Sequence, residues 1–285
     1  MGNCLSANGE FAKALHFYEK ALRINVRVNV QWGIVAVRMN ITHSVYGRLG
    51  NVELAYQTSQ EALRIANESG DIFSKARANY GLGLSYYLRG RLKAAEEHFL
   101  KSSDLSQKSN QLAWAAFANS YLSAIYLDMG DYETSQKFSE RAISFFQNIG
   151  VGPSLAIWSK IFSVLAKVMN NEKDINLNDI FKWHAHIKDK WTKSWVQNSI
   201  GAILLNFDDQ HLSEAEDWIR RAIETNERYA MMWNLARDYA LYAELFKRKA
   251  DLPKAKENLI KAIDIFQECG ADGWAQKYEQ ELAAL

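Results

Sequence analysis

Apolar and polar positions along this chain follow the period of an amphipathic helix, and the same pattern returns about every forty residues. Six segments share a turn residue, an apolar residue two positions later and a small residue three positions after that. They are GEFAKALHFYEKAL (9–22), GNVELAYQTSQEAL (50–63), GRLKAAEEHFLKSS (90–103), GDYETSQKFSERAI (130–143), QHLSEAEDWIRRAI (210–223) and ADLPKAKENLIKAI (250–263). The spacing predicts an array of similar units, with one member missing near Asn170.

The small residues of these segments are predicted to let a neighbouring helix approach closely. They are Ala14, Ala55, Ala95, Ser135, Ala215 and Ala255. A further helical stretch precedes each segment, as in ARANYGLGLSYYLRG at 76–90. Each unit is therefore predicted to be a helix, a tight turn and a second helix. Such a unit buries its apolar face only by stacking against its neighbours.

This pattern resembles the tetratricopeptide repeat. The positions that match that family's motif are Leu82, Gly83 and Tyr86 in the first helix and Gly90, Leu92, Ala95 and Phe99 in the second. The longer, forty-residue unit is similar to the repeats of bacterial signal-transduction ATPases, such as the maltose-regulon activator, and of multidomain class III nucleotide cyclases. The resemblance implies an all-α fold, a right-handed solenoid of stacked antiparallel helix pairs with about seven repeats.

We expect a single solenoid over 1–285. Its repeats are predicted at about 1–28, 29–70, 71–110, 111–150, 151–190, 191–230 and 231–269. The first is truncated, and the fifth is degenerate because NNEKDINLND interrupts it and the small residues are missing from its second helix. A capping helix is predicted over 272–285, where Trp274, Tyr278 and Leu282 form one apolar stripe.

Four tryptophans fall in or beside the degenerate repeat, at Trp158, Trp183, Trp191 and Trp195. Two interpretations are open. The bulky rings fill space left by imperfect stacking, or they form a specialised surface for a ligand or partner, because insertions in solenoids often map to one functional face.

The first residues, MGNCLS, also have two interpretations. Gly2 and Ser6 fit the pattern for N-myristoylation, with Cys4 as a second acylation site. The repeat register instead places Met1 and Gly2 at the paired positions of a half-length first helix, and it also accounts for the sequence that follows. We favour the repeat. The partner helix is then left partly uncovered, so either the natural chain begins earlier or another surface covers it.

The composition of the chain argues against two classes of partner. The formal charge is +1 and basic residues form no block, which argues against a nucleic-acid partner. No apolar run is long enough to span a bilayer, so no membrane association is predicted. Cys4 and Cys269 lie near opposite ends of an extended array and are not expected to pair. These features favour a cytoplasmic protein.

Motifs for catalysis and for metal or cofactor binding are missing from the sequence. His184 and His186 are two apart on a predicted helix, about 200° around its axis, so both cannot face one ion. DDQH at 208–211 is predicted to be a solvated turn. We therefore expect no enzyme activity, no metal and no cofactor; any catalytic activity would reside in a domain upstream.

In the tetratricopeptide family, the first helix of each repeat lines a concave groove. The resemblance therefore implies a partner-binding face formed by Asn40, Ser44, Arg48, Arg77, Tyr80, Tyr87, Phe117, Ser120, Tyr121, Lys160, Lys167, Gln197, Arg237 and Arg248. Its aromatic and basic side chains suit an extended peptide or an acidic protein segment. The carboxylate clamp that co-chaperones of this family use is not matched.

The leading hypothesis is a non-catalytic protein-interaction module, the C-terminal sensor or scaffold region of a larger bacterial signalling protein, with self-association as a further possibility. The alternative is a small-molecule sensor that binds a metabolite inside the superhelix.

Overall fold

The computed structural model describes residues 1–150, 153–172 and 174–285, with the backbone alone at 153–155. The described chain consists of helices joined by short turns, and no strand occurs in it. In chain order the helices are α1 Gly2–Ala7, α2 Phe11–Arg27, α3 Gln31–Ile41, α4 Gly47–Leu49, α5 Val52–Ser69, α6 Ile72–Leu88, α7 Leu92–Lys108, α8 Leu112–Asp128, α9 Tyr132–Asn148, α10 Pro153–Met169, α11 Leu177–Ala185, α12 Lys190–Phe207, α13 Leu212–Arg228, α14 Met232–Arg248, α15 Leu252–Glu268 and α16 Asp272–Ala283. A π-helical turn, Thr42–Tyr46, joins α3 to α4.

The helices pack in consecutive pairs, and α16 covers the last pair. The predicted all-α repeat fold is confirmed. The first pair is truncated, since α1 has 6 residues, and the fifth is degenerate, since α11 has 9 residues where α7 and α9 have 17. The predicted start of the fifth repeat, residue 151, lies outside the described residues.

The predicted small residues of the second helices are buried, as close packing between helices requires. Glycines of the first helices serve the same purpose. A Cβ on Gly83 would lie 2.9 Å from the ring of Phe99, and one on Gly2 would lie 2.7 Å from the ring of Tyr18. Gly2 therefore has the same packing role in the first pair that Gly83 has in the α6–α7 pair.

Late helices of the array return to contact early ones. The indole Nε1 of Trp233, in α14, donates to the carbonyl oxygen of Leu88 at 2.9 Å. The indole Nε1 of Trp274, in α16, donates to the carbonyl oxygen of Tyr87 at 2.7 Å. These partners are 145 and 187 residues apart in the sequence. The chain therefore coils until α14 and α16 lie against the end of α6.

The inside of this coil is filled with aromatic rings. Tyr80, Tyr87, Tyr121, Trp158, Trp191, Trp195, Trp233 and Trp274 are all buried. Phe99 stacks on Tyr121 with 5.0 Å between ring centroids, and Trp158 lies edge-on to Trp191 at 5.2 Å. Two further apolar clusters complete the core, but these eight rings all belong to one continuous aromatic cluster. Of the four tryptophans near the degenerate repeat, only Trp183 lies outside it.

This filled interior corrects one expectation. The predicted partner-binding face was expected to be exposed, but six of its members are buried, namely Arg48, Tyr80, Tyr87, Ser120, Tyr121 and Gln197. The physical reason is the closure of the coil, which brings α12, α14 and α16 over positions that an open groove would leave in solvent. Cys4 and Cys269 are both free thiols, as expected.

Candidate functional site

A cavity of about 280 Å³ lies on the inner side of the coil. Residues of α6, α8, α9, α10, α12, α14 and α16 line it, so it depends on helices from the third pair of the array to its last helix. Concave sites that combine an apolar lining with a few polar groups are typical of ligand pockets. This cavity is therefore the candidate functional site.

Arg237 occupies the centre of its polar side. The guanidinium forms a two-pronged ion pair with Asp128, at 2.8 Å from Nη2 to Oδ1 and 3.0 Å from Nη1 to Oδ2. Asp128 also accepts a hydrogen bond of 2.8 Å from the hydroxyl of Tyr87. The guanidinium carbon lies 5.0 Å from the ring of Trp274 and 5.6 Å from that of Trp233. Aromatic rings and a carboxylate together hold this cation in place.

Asp238 is the next residue of α14, and its carboxylate is buried. It accepts hydrogen bonds from the side-chain amides of Asn198, at 2.7 Å, and Asn226, at 2.5 Å. Burial raises the pKa of Asp238 to about 8, although these hydrogen bonds and the nearby Arg237 act in the opposite direction. The site therefore contains a carboxyl group that titrates close to neutral pH.

Asn234 lies one helical turn before Asp238 and also lines the cavity. Its Oδ1 accepts a hydrogen bond of 2.9 Å from the indole Nε1 of Trp195. Its Nδ2 is buried, and no described residue accepts a hydrogen bond from it. A buried amide donor without a partner is costly, and a ligand or water with an acceptor atom would remove that cost.

A further part of the lining is apolar. It comes from α8 and α10, through Leu127, Phe162, Leu165 and Met169. Residues of α16 complete the rim, where Lys277 lies 5.3 Å from the ring of Trp274 and burial raises the pKa of Tyr278 to about 12. The cavity can therefore hold an apolar group beside hydrogen-bonding and charged groups.

A second buried cation lies deeper in the coil. The guanidinium carbon of Arg48 stands 3.2 Å from the centroid of the Trp191 ring, and Nη2 lies 2.9 Å from Nε2 of His43. No described carboxylate lies within ion-pair distance of Arg48. Burial and then the charge of Arg48 lower the pKa of His43 well below its usual value, so His43 is neutral at pH 7.

The predicted binding residues are thus divided by the structure. Tyr87 and Arg237 line the cavity. Arg48, Tyr80, Ser120, Tyr121 and Gln197 are buried outside it. The residues that are half-buried or exposed elsewhere are Asn40, Ser44, Arg77, Phe117, Lys160, Lys167 and Arg248. The predicted face is therefore not one continuous surface.

The polar residues of the site that were missed from the sequence include Asp128, Asn198, Asn234 and Asp238. One signal was available. Ser194 and Asn234 are forty residues apart, as are Asn198 and Asp238, so polar residues recur at matching positions of two first helices. Recurrent polar residues at positions that pack inward are candidates for a buried network.

His184 and His186 lie in different surroundings. His184 lies edge-on to Trp218 with 4.8 Å between ring centroids, and burial lowers its pKa to about 4. His186 is exposed. In the part of the chain that the structure describes, no cluster of histidine, cysteine and acidic side chains fits a metal ion, and no helix has the length and apolar character to cross a membrane.

The comparisons with known proteins concern the same repeats. The tetratricopeptide repeat profile matches residues 39–108, and a second profile of that repeat matches residues 1–25 and 122–148. A search of curated protein sequences finds no match.

Among solved structures, the fold is similar to a crystal structure of a Rap protein complexed with competence and sporulation factor. The TM-score is 0.67 at 10% sequence identity, over 97% of this chain and 78% of the Rap chain. At that identity the likeness concerns the fold alone. This protein is an all-helical repeat protein that contains tetratricopeptide repeats.

Proposed function

We propose that this protein is a non-catalytic interaction module that binds a peptide or a segment of another protein at the inner cavity. The observation that carries the proposal is the unpartnered amide of Asn234 in a cavity with one apolar and one charged side. A polypeptide supplies carbonyl oxygens for such an amide and apolar side chains for Leu127, Phe162 and Leu165. The tetratricopeptide repeats and the Rap-like fold support the same class of function.

The Rap protein in the similar structure is bound to competence and sporulation factor. We infer that the present chain likewise takes a ligand within its coil, with Tyr87 and Arg237 as the predicted residues placed to contact it. We also propose that the chain is the sensor or scaffold region of a larger cytoplasmic signalling protein, a role that the repeats favour.

Selection from a library of random short peptides tests the proposal, followed by calorimetric titration of the enriched sequences. Ala202 lines the cavity, so Ala202→Phe is expected to fill it and weaken binding at least tenfold. Ala283→Phe, at an exposed position of α16, is the matched control and is expected to bind as the unmodified protein does. An absence of enriched peptides, or equal binding by Ala202→Phe, would rule out the proposal.

A second candidate is a small-molecule sensor, and the position of Trp195 on the cavity wall favours it. A metabolite in the cavity would lie beside this indole and change its fluorescence. Screening a metabolite set by tryptophan emission tests this candidate. A response that persists in Trp195→Phe would place the compound elsewhere.

A further inference from the structure

The glycines that follow the first helix of each pair form one edge of the coil. Gly9, Gly50, Gly90 and Gly130 all have positive φ, between 76° and 81°, in the turn to the second helix. Only the first three face a later part of the chain. A Cβ on Gly50 would lie 2.5 Å from Sγ of Cys269, and one on Gly90 would lie 2.6 Å from the backbone nitrogen of Trp274.

The end of α6 shows how such an edge binds a helix. Its last carbonyl oxygens have no partner within α6, as at any helix end. The carbonyl oxygen of Arg89 accepts a hydrogen bond of 3.0 Å from the backbone N–H of Gly273, in the first turn of α16. Those of Tyr87 and Leu88 accept the indole N–H groups of Trp274 and Trp233. Free donors at a helix start thus pair with free acceptors at a helix end.

Forty residues later, the end of α8 repeats this arrangement without an occupant. Gly130 has a φ of 79°, and no atom of the described residues lies within 4 Å of a Cβ built on it. No donor among the described residues reaches the carbonyl oxygens of Asp128 and Met129, which correspond to Leu88 and Arg89. Leu127 and Asp128, at this end of α8, also line the inner cavity. The contact surface of the first three turns therefore continues into an unfilled fourth.

We propose that the edge formed by residues 127–131 docks the first turn of an α-helix from a partner polypeptide. This edge continues a row of covered turns. Later segments of the chain cover Gly9, Gly50 and Gly90, and Gly130 is next in the same row. The inference rests on the proposed function in that the docked segment belongs to the polypeptide ligand of the inner cavity.

The chemistry of the segment follows from α16. Its first turn reads D-G-W, with Gly273 allowing close approach and Trp274 donating from its indole. The partner is therefore expected to begin a helix with a small residue followed by tryptophan. The positive end of its helix dipole would face the carbonyl oxygens of Asp128 and Met129, at the negative end of the α8 dipole.

The chain itself supplies the probe, a fluorescent peptide with the sequence of residues 270–285, GADGWAQKYEQELAAL. Anisotropy is measured against the full-length protein. We expect saturable binding that weakens at least tenfold when the peptide's tryptophan is replaced by alanine. Binding that does not saturate, or that ignores the tryptophan, would overturn the proposal.

Two glycine variants locate the binding. Gly130→Asn adds a side chain at the edge, and Gly70→Asn does so in a turn where a Cβ also meets nothing within 4 Å. Asparagine is already used at positive φ in this chain, at Asn29, Asn110 and Asn171, so both variants should fold. Gly130→Asn is expected to weaken peptide binding at least tenfold and Gly70→Asn to leave it within twofold. Equal affinities would refute docking at this edge.

A second copy of the chain is the competing occupant. Sedimentation that shows dimers lost in Gly130→Asn, with no binding of the peptide, would replace the partner helix with self-association. The experiments also distinguish failure of this proposal from failure of the proposed function. Short library peptides that bind the unmodified protein but not Ala202→Phe, without any binding of the 270–285 peptide, would refute docking at the edge alone and leave the cavity function in place.

Discussion

Arg237 and Asp128 are 109 residues apart in the sequence and form a two-pronged ion pair across the inside of the coil. Their side chains are 23% and 9% exposed. The pair joins α14 to α8, so it holds together two parts of the array that neighbour-to-neighbour stacking does not connect. It also forms part of the cavity lining, which couples closure of the coil to the shape of the site.

Arg237→Met should destabilise the protein by about 3–5 kcal/mol, because it leaves the Asp128 carboxylate buried without its cation. Unfolding in urea measures the loss. Lys137→Met is the control, since Lys137 and Glu133 form an exposed pair whose removal should change stability by less than about 1 kcal/mol. The double variant Arg237→Met/Asp128→Leu should be more stable than Arg237→Met. Equal losses in all three variants would contradict the role of the pair.

Arg48→Met should not destabilise the protein as Arg237→Met does. Arg48 is buried on Trp191, and no carboxylate among the described residues forms an ion pair with it. Burial lowers the pKa of Arg48 and outweighs the hydroxyl of Tyr121 and the charge of Asp189, which favour the cation. Methionine removes this cost of burying a charge and keeps the contact with the ring. We expect a change of less than about 1 kcal/mol, or a gain in stability, in the same urea titration. A loss as large as that of Arg237→Met would show that the Arg48 cation is needed where it lies.

The contrast between these two arginines shows what the sequence could predict. Repeating glycines and alanines predicted the helix pairs and the small residues at their contacts, because those interactions join neighbours in the chain. The resemblance to the tetratricopeptide family implied that both Arg48 and Arg237 lie on a partner-binding face. The difference between them comes from Asp128 and Trp191, which are distant in sequence and meet these arginines only once the coil has closed.

Gly90 is a second example of a contact between distant parts of the chain that the sequence could not predict. The sequence predicted a turn glycine there, and its φ of 76° agrees with that role. The close approach of Gly273 and Trp274 is a second reason for glycine, and nothing within the repeat motif indicates it. The polar residues of the cavity were missed for a related reason. Asn234 and Asp238 read as ordinary polar positions of one helix until α8 and α12 enclose them.

Gly90→Asn should therefore lower the free energy of unfolding by more than the positive φ at this position alone would explain. Its new side chain would collide with the backbone of α16, and overpacking of this kind costs about 1–3 kcal/mol. Gly70→Asn carries the same change of backbone preference without the collision and serves as the control. Urea unfolding should separate the two variants, and small-angle scattering should show a larger radius of gyration for Gly90→Asn. Equal stability and equal size would mean that α16 does not close the coil through this contact.

Asp238→Asn tests the buried carboxyl through the pH dependence of stability. The folded pKa of about 8 lies far above the ordinary value of 3.8, so between these pH values the folded protein keeps a proton that the unfolded chain releases. For this group, stability is fully present below about pH 4 and falls as pH rises towards 8, by up to about 1.4 kcal/mol per pH unit. The asparagine variant lacks this loss.

The measurement is the free energy of unfolding in urea at pH 5, 6, 7 and 8, taken as variant minus wild type. His43 contributes the opposite slope, because its pKa is lowered on folding, but it is present in both proteins and cancels in the difference. The difference should therefore rise steadily with pH. A flat difference would mean that Asp238 is ionised throughout this range, and that Asn198, Asn226 and Arg237 stabilise its charge enough to offset burial.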